Sequence, residues 1–382
     1  MCDKRFKIVY CTPSLYMAGG VERVLTLKAN YFAENYDYDV TIIITDGENR
    51  VPFFHLSDKV HVINLGINFE DMWHRSFLKR IFLYIPKERK FKKKLSEELN
   101  RIKPDFTISL LRREINFLTD IDDGSKKIGE IHINRAHYRN FTPNRTNPLK
   151  DLFAKFWMHG LVGKLKQLDR FVVLTEYDRQ AWQEIPRVDV IPNPLPFYPE
   201  ITKEERRHRV IAVGRYFDEK GYDMLLKAWA IVEKNNDDWE LEIYGDGNKL
   251  YYEKLTDSLK INKKRCRLSD SISDVQKEYL DSSLFVCTSR FEGFGMGIIE
   301  AMACGLPVVA FDCLWGPRSI IIDGEDGLLV ENGNIEKLAS TIISLIDNPN
   351  RIFEMGQNAR KNVKRFNIDD IAKKWRRLFE GL

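Results

Sequence analysis

The stretch Ser289–Val309, SRFEGFGMGIIEAMACGLPVV, guides the interpretation of the whole chain. One apolar run precedes it and another ends it, so the pattern predicts a strand, a glycine-rich turn, a helix and a second strand. Glu292 and Glu300 lie eight positions apart around that turn. Backbone N–H groups at the start of such a helix can approach an anion closely. Two carboxylates beside an anion site fit a ligand with phosphate at one end and hydroxyls at the other; the alternative is an ordinary turn with two surface glutamates.

Outward from this stretch, short β-branched and aromatic runs alternate with helical segments along the whole chain. This alternation predicts parallel sheets covered by helices on both faces, and its two successive series predict two doubly wound α/β domains. The predicted strands are Phe6–Thr12, Val40–Thr45, Val60–Leu65, Phe106–Leu111, Lys127–His132, Phe171–Thr175, Arg209–Gly214, Leu241–Tyr244, Leu284–Thr288, Pro307–Phe311 and Gly327–Val330.

The predicted domain boundary is marked by Ile191–Glu200, IPNPLPFYPE, which contains four prolines and cannot form a helix. We therefore expect an N-terminal domain over 1–193, a linker near 193–207 and a C-terminal domain over 194–366. A final helix is predicted over 367–382, with Trp375 on its apolar side; by sequence alone it is equally compatible with packing on either domain.

The composition is that of a soluble two-domain protein of 382 residues with a net charge of +4. No apolar run approaches the roughly 20 residues of a membrane span, and the charged N-terminus is too short for a secretory signal. Six cysteines show neither CxxC nor Cys/His metal spacing, which favours reduced thiols and a cytoplasmic location.

Five segments, taken together, resemble retaining family 4 glycosyltransferases. The Glu-x7-Glu stretch resembles the family's nucleotide-binding segment. The other four segments match in order and spacing: Gly19–Arg23 (GGVER), Val190–Pro194 (VIPNP), Gly214-Arg215 with Glu219–Gly221 (EKG), and Tyr244–Gly247 (YGDG).

The resemblance implies the GT-B fold, two Rossmann-like domains facing a central cleft, with the last helix packing back on the first domain. It also implies transfer of a hexose or N-acetylhexosamine from a nucleotide-diphosphate sugar, with a UDP-sugar as the expected donor, to a glycan or lipid-linked acceptor in surface polysaccharide biosynthesis.

Donor-binding residues in the second half follow from the same resemblance. Arg215 and Lys220 are expected to bind the diphosphate, because a guanidinium and an ammonium stabilise the charge that grows on the leaving group. Glu300 is expected to bind the ribose hydroxyls and Glu292 the sugar hydroxyls, since a carboxylate accepts two hydrogen bonds from a diol. Backbone amides near the phosphates or sugar would come from Gly295, Met296, Gly297 and Ile298.

The first half contributes further candidate residues. Gly19 and Gly20 follow the first strand and permit close approach of the backbone to the donor diphosphate. His132 occupies a position where relatives often have a His near the donor sugar and acceptor, and its chemistry suits hydrogen bonding or proton handling. A structural role for His132 remains open, and His137 is a weaker rival because it lies further from the strand.

Two features concern specificity and metal use. Ser319 stands where galactosyl- and N-acetylgalactosaminyl-type relatives have Glu, in the segment Trp315–Ile321, so the sugar is not predicted. Asp246 lies in a suitable turn but without a second carboxylate, so no metal and no cofactor other than the donor is expected. Glu292 is not assigned as a nucleophile; the resemblance implies attack on the face that the leaving group departs from, with retention, and the two-carboxylate logic of glycoside hydrolases does not apply.

The segment 73–103 has eleven basic residues opposed by three glutamates, interleaved with aromatics that include Trp73, Phe77 and Phe82. Such a pattern is typical of contact with an anionic membrane, here the inner face of the cell membrane; a solvated helix face is the alternative. No nucleic-acid motif accompanies it.

Three functions remain open: a glycosyltransferase with a glycan or lipid-linked acceptor, the same enzyme with a soluble small acceptor, and a nucleotide-sugar-binding protein without turnover. Intact Glu292, Glu300, Arg215 and Lys220 argue against the last of these.

Overall fold

The computed structural model describes residues 5–72, 77–140, 148–200, 205–272, 274–313 and 315–382, with the backbone alone at 77–81, 136, 139–140 and 148–156. The chain divides into two compact units. The first comprises Met1–Pro194 and Ile368–Leu382, and the second comprises Leu195–Asn367. Residues 201–204, within the predicted linker, lie outside the described residues.

The strands of the first unit are β1 (Lys7–Thr12), β2 (Asp39–Ile44), β3 (Val60–Asn64), β4 (Phe106–Ser109), β5 (Lys126–Glu130), β6 (Arg170–Val173) and β7 (Val188–Val190). Those of the second are β8 (Arg209–Val213), β9 (Glu240–Tyr244), β10 (Cys266–Ser269), β11 (Leu284–Cys287), β12 (Val308–Phe311) and β13 (Gly327–Val330).

The helices of the first unit begin with α1 (Gly20–Asn35), α2 (Phe77–Ile102), α3 (Pro148–Leu165) and α4 (Glu176–Ala181). The second unit contains α5 (Tyr222–Asn235), α6 (Lys249–Ser258), α7 (Val275–Asp281), α8 (Met296–Ala303), α9 (Pro317–Ile320), α10 (Ile335–Ile346) and α11 (Pro349–Asn362). The chain ends with α12 (Ile368–Glu380).

Both sheets are parallel throughout, which confirms the predicted pair of doubly wound α/β domains. The first sheet has the order β3-β2-β1-β4-β5-β6-β7, and the second β10-β9-β8-β11-β12-β13. Strand β1 is buried on both faces because its side chains alternate between two apolar clusters: Tyr10 faces α1 and α12, and Val9 faces α2. Helix α12 joins the first unit's core through Trp375 and Phe379.

All eleven predicted strands are present, with ends shifted by up to two residues. Strands β7 and β10 were not predicted, because β7 is only three residues long and β10 (Cys266-Arg-Leu-Ser) alternates polar and apolar residues at a sheet edge. Most of the basic segment forms helix α2. Trp73 and Arg75 lie outside the described residues, as do the side chains of Phe77, Lys79 and Arg80.

Candidate functional site

The order of the strands in the second sheet reverses between β8 and β11, which are parallel, hydrogen-bonded neighbours. After β8 the chain continues to β9 on one side of this pair, and after β11 it continues to β12 on the other side. In doubly wound sheets, ligands bind outside the carboxyl ends of the strands at such a switch point. Two loops begin here: 214–221 after β8 and 288–295 after β11. They contain Arg215, Lys220 and Glu292, so the topology brings these three predicted residues to one edge of one sheet.

Two hydrogen bonds to backbone carbonyls of the first loop fix the two loops to each other. The hydroxyl of Thr288 donates to the carbonyl of Lys220 at 3.0 Å, and the N–H of Arg290 donates to the carbonyl of Glu219 at 2.8 Å. At Gly221 the backbone has a φ of 63°, and a Cβ there would lie 2.1 Å from the carbonyl oxygen of Thr288. Glycine is therefore required by conformation and by space.

Lys220 and Glu292 form a salt bridge between the loops, from Nζ to Oε1. The hydroxyl of Ser289 donates to the same carboxylate oxygen at 2.8 Å. The side chains are 23% and 15% exposed, so the pair is sheltered but still open to solvent. Burial alone would lower the pKa of Lys220, but the neighbouring Glu292 carboxylate outweighs it and the pKa is raised. Lys220 is therefore a permanent cation at neutral pH.

Arg215 lies in the same loop but has a different partner. Its Nη2 contacts Glu219 Oε1 at 2.9 Å, and its guanidinium lies 4.8 Å from the ring centre of Phe217. The Arg215 side chain is 54% exposed. Because exposed ion pairs contribute little stability, this guanidinium can exchange Glu219 for a phosphate at small cost.

The predicted glycine turn starts helix α8. Gly295, the residue before the helix, has a φ of 106° and supplies no side-chain cap. No side chain at the capping position therefore accepts a hydrogen bond from the backbone N–H groups of the first turn. Met296 and Gly297 are the first two helical residues. Glu300 lies one turn further on and is 4% exposed; it accepts a hydrogen bond from the hydroxyl of Tyr279 at 3.4 Å.

A third loop, which the sequence reasoning did not assign to the site, packs against Glu292. Trp315 has a φ of 81° and forms an isolated β-bridge with Glu292, and a Cβ at Gly316 would lie 2.7 Å from the Cβ of Glu292. Ser319 donates its hydroxyl to the carbonyl of Trp315 at 2.5 Å. Ser319 therefore closes its own turn. A positive φ at a tryptophan has no signal in the sequence.

In the first unit, the predicted glycines open helix α1. Gly19 is the residue before the helix and Gly20 is its first residue. The carboxylate of Glu22 folds back over this turn, since its Oε2 lies 2.0 Å from the point that a Cβ at Gly19 would occupy. A Glu at the third helical position commonly caps a helix start in this way.

His132 follows β5 and is part of a buried polar cluster. Its side chain is 7% exposed, and its Nε2 lies 3.3 Å from Glu130 Oε1. Glu130 in turn forms a salt bridge with Lys28 of α1, with 2.6 Å between Nζ and Oε2. The rival His137 instead contacts Asn134, from Nδ1 to Oδ1 at 2.8 Å, and burial lowers its pKa. Lys28 and Glu130 were not identified from the sequence.

Comparisons with known proteins give a consistent picture. The family model described as glycosyl transferases group 1 matches residues 197–362. The chain is similar to an uncharacterized glycosyltransferase of Haemophilus influenzae, 31% identical over 97% of this chain and 99% of that protein. It is also similar to a poly(ribitol-phosphate) alpha-N-acetylglucosaminyltransferase of Staphylococcus aureus, 28% identical over 67% of this chain and 51% of that protein. The structure of S. aureus TarM in complex with fondaparinux, alpha-GlcNAc-glycerol and UDP matches with a TM-score of 0.77 at 17% identity, over 98% and 99% of the chains, and supports the predicted fold.

We expect Gly221→Ala to destabilise the second unit more than Gly333→Ala does. Both glycines have a positive φ, which costs an alanine roughly 1–2 kcal/mol, but only at Gly221 does a Cβ meet a backbone atom; at Gly333 nothing lies within 4 Å. Urea unfolding of the two variants measures the difference. Equal midpoints would contradict the close packing of the two loops.

Proposed function

The chain belongs to the glycosyl transferases group 1 family, and we propose that it transfers a hexose or N-acetylhexosamine from a UDP-sugar to a hydroxyl of a glycan or lipid-linked acceptor, with retention of configuration. The observation that carries this proposal is the Lys220–Glu292 salt bridge at the switch point of the second sheet. It holds a cation suited to a diphosphate beside a carboxylate suited to sugar hydroxyls.

Donor binding uses these two groups separately. The diphosphate competes with Glu292 for Lys220 and with Glu219 for Arg215, and the start of α8 at Gly295 offers backbone N–H groups to the phosphates or the sugar. Once Lys220 binds phosphate, Glu292 is free to accept hydrogen bonds from the sugar hydroxyls. Glu300, held by Tyr279, binds the ribose hydroxyls. UDP is favoured because TarM, which shares the fold, was solved with UDP bound.

Catalysis in this proposal rests on stabilising the departing diphosphate. Lys220 and Arg215 neutralise the charge that develops on it as the glycosidic bond breaks, which is commonly the largest electrostatic contribution in such transfers. Glu292, which accepts a hydrogen bond from Ser289, binds sugar hydroxyls in this proposal and is not assigned as a nucleophile. The acceptor hydroxyl then attacks on the face that the diphosphate leaves, a diphosphate oxygen takes its proton, and His132 contacts the donor sugar or acceptor.

We propose that transfer needs no metal, since two cations already lie at the switch point. Among the residues that the structure describes, no group of three or more His, Cys, Asp and Glu side chains is placed to hold a metal ion. EDTA in the transfer assay tests this proposal, and a rate abolished by EDTA and restored by a divalent cation would refute it.

A lipid-linked or membrane-associated acceptor is favoured by helix α2. Its described part exposes Phe82 (78%), Leu83 (42%) and Ile85 (49%), while Phe91 and Leu95 are buried in the first unit's core. Exposed cations follow on the same helix: Arg89, Lys90, Lys92 and Lys93. Apolar side chains beside cations suit the headgroup region of an anionic bilayer. Within the described residues, no helix has both the length and the apolar character needed to cross a membrane.

The site assignment is tested by Lys220→Met and Glu292→Gln in a transfer assay over a panel of nucleotide sugars. Removing one preorganised charged group from a transition state costs about 10²- to 10³-fold in kcat, so each variant should lose most turnover while keeping its fold by circular dichroism. Lys227→Met, which removes an exposed cation from α5 in the same unit, should leave the rate unchanged.

Wild-type turnover by either site variant would refute the assignment. Thermal shift over the same panel measures donor binding by the wild-type protein. If the wild type binds a donor but neither transfers nor hydrolyses it, a binding protein without turnover would instead be favoured.

The membrane proposal predicts that the protein sediments with vesicles containing phosphatidylglycerol and that added salt releases it, because attraction to a charged surface is screened. Phe82→Ser with Leu83→Ser should weaken sedimentation. Phe353→Ser, which removes another exposed aromatic side chain (61%) from the second unit, should not. Unchanged sedimentation of the double variant, or none by the wild type, would favour a soluble acceptor.

A further inference from the structure

The first unit contains a salt bridge that is almost completely removed from water. Lys28, in the middle of α1, and Glu130, the last residue of β5, are each 1% exposed. Nζ of Lys28 contacts both carboxylate oxygens of Glu130, at 2.6 Å for Oε2. The ring of Trp375 from α12 covers the ammonium, with its centre 4.5 Å from Nζ, and the Tyr10 ring of β1 lies 5.5 Å away.

Stability alone gives a weak reason for this pair. Two charges lose their hydration on burial, and apolar residues of similar volume generally stabilise a core as well or better. The surroundings on β1, α1 and α12 are otherwise apolar, so such a replacement would fit. The pair therefore calls for a role that an apolar pair could not fill.

The carboxylate of Glu130 has one further neighbour, the imidazole of His132. Nε2 of His132 lies 3.3 Å from Oε1 of Glu130, which is an ion-pair distance without hydrogen-bond alignment, and it makes no hydrogen bond to any of the described residues. Burial would raise the pKa of Glu130, but Lys28 and then His132 outweigh it and lower the pKa to about 2. Glu130 is therefore an anion throughout the physiological range, at a fixed position beside a ring nitrogen.

We propose that Lys28 and Glu130 are positioning residues for His132: Lys28 holds the carboxylate, and the carboxylate keeps the proton of the neutral imidazole on Nε2 and fixes the orientation of the ring. The partner of one ring nitrogen decides which tautomer an imidazole adopts. Nδ1 is then the nitrogen left to accept a proton or hydrogen bond. This proposal rests on the proposed function, in which His132 contacts the donor sugar or acceptor.

The same salt bridge also fixes the position of helix α1. Lys28 lies two turns after Gly20, the first residue of this helix. The salt bridge therefore ties α1 to the end of β5, and it sets the glycine turn and His132 in a fixed relation within one unit. A flexible polar contact at the surface would not hold two segments that are 102 residues apart in sequence in this way.

The test separates stability from positioning. Lys28→Met or Glu130→Leu alone leaves one buried charge unpaired and should lower the unfolding temperature. The double variant Lys28→Met/Glu130→Leu contains an apolar pair and should unfold near the wild-type temperature. Its kcat should nevertheless fall roughly 10- to 100-fold, as expected when a reacting group loses its orientation. In a His132→Gln background, the double change should cause no further loss, because residues that act through another are not additive with it.

A second readout does not depend on activity. Nitrogen-15 spectra of the imidazoles, assigned through His132→Gln, should show His132 protonated on Nε2 in the wild type and a mixture of tautomers in the double variant. A stable double variant with wild-type kcat, or with an unchanged His132 spectrum, would overturn the proposal. Wild-type kcat in His132→Gln would overturn it through the proposed function instead, and the spectrum tells the two failures apart.

Discussion

The site in the second unit depends on one constraint: β8 and β11 are neighbouring parallel strands that end at the same edge of the sheet. The two strands begin 75 residues apart in the sequence. Because they are neighbours in the sheet, the loops that follow them nevertheless start about 5 Å apart, the distance between paired strands. The loops approach closely at Gly221 and are joined by two hydrogen bonds, and in that arrangement Lys220 reaches Glu292. The topology and one glycine thus determine the chemistry of the site.

Much of the fold was predictable because the information is local. Strands buried on both faces, such as β1 and β12, appear as continuous apolar runs with clear ends. Strand β7 has no such pattern, since Asp189 lies between two valines and its three residues are only partly buried. Both missed strands lie at a sheet edge and have a polar residue between apolar ones, so neither shows the continuous apolar run that burial on both faces imposes on the sequence.

The site was predictable only as a set of positions. The motifs placed Lys220 and Glu292 after predicted strands, but they did not identify the partner of either side chain. Arg215 contacts Glu219, which lies four residues away in the same loop and was not predicted as its partner. Lys28 and Glu130 are 102 residues apart in the sequence, and no sequence pattern around either residue predicts that they form a pair. Side-chain partners depend on how elements pack, which is a property of the folded chain.

The exposure of the ion pairs indicates which of them can change partner. Arg215–Glu219 is 54% and 32% exposed, Lys220–Glu292 is 23% and 15% exposed, and Lys28–Glu130 is 1% and 2% exposed. Separating a pair that water can reach costs little, because solvent replaces the lost partner. Separating a buried pair leaves a charge without hydration or partner. In the proposed function, a diphosphate therefore displaces the carboxylates from Arg215 and Lys220, whereas the buried Lys28–Glu130 pair stays together. The two proposals thus assign two purposes to two kinds of salt bridge: exchangeable pairs for binding the donor, and a fixed pair for holding His132.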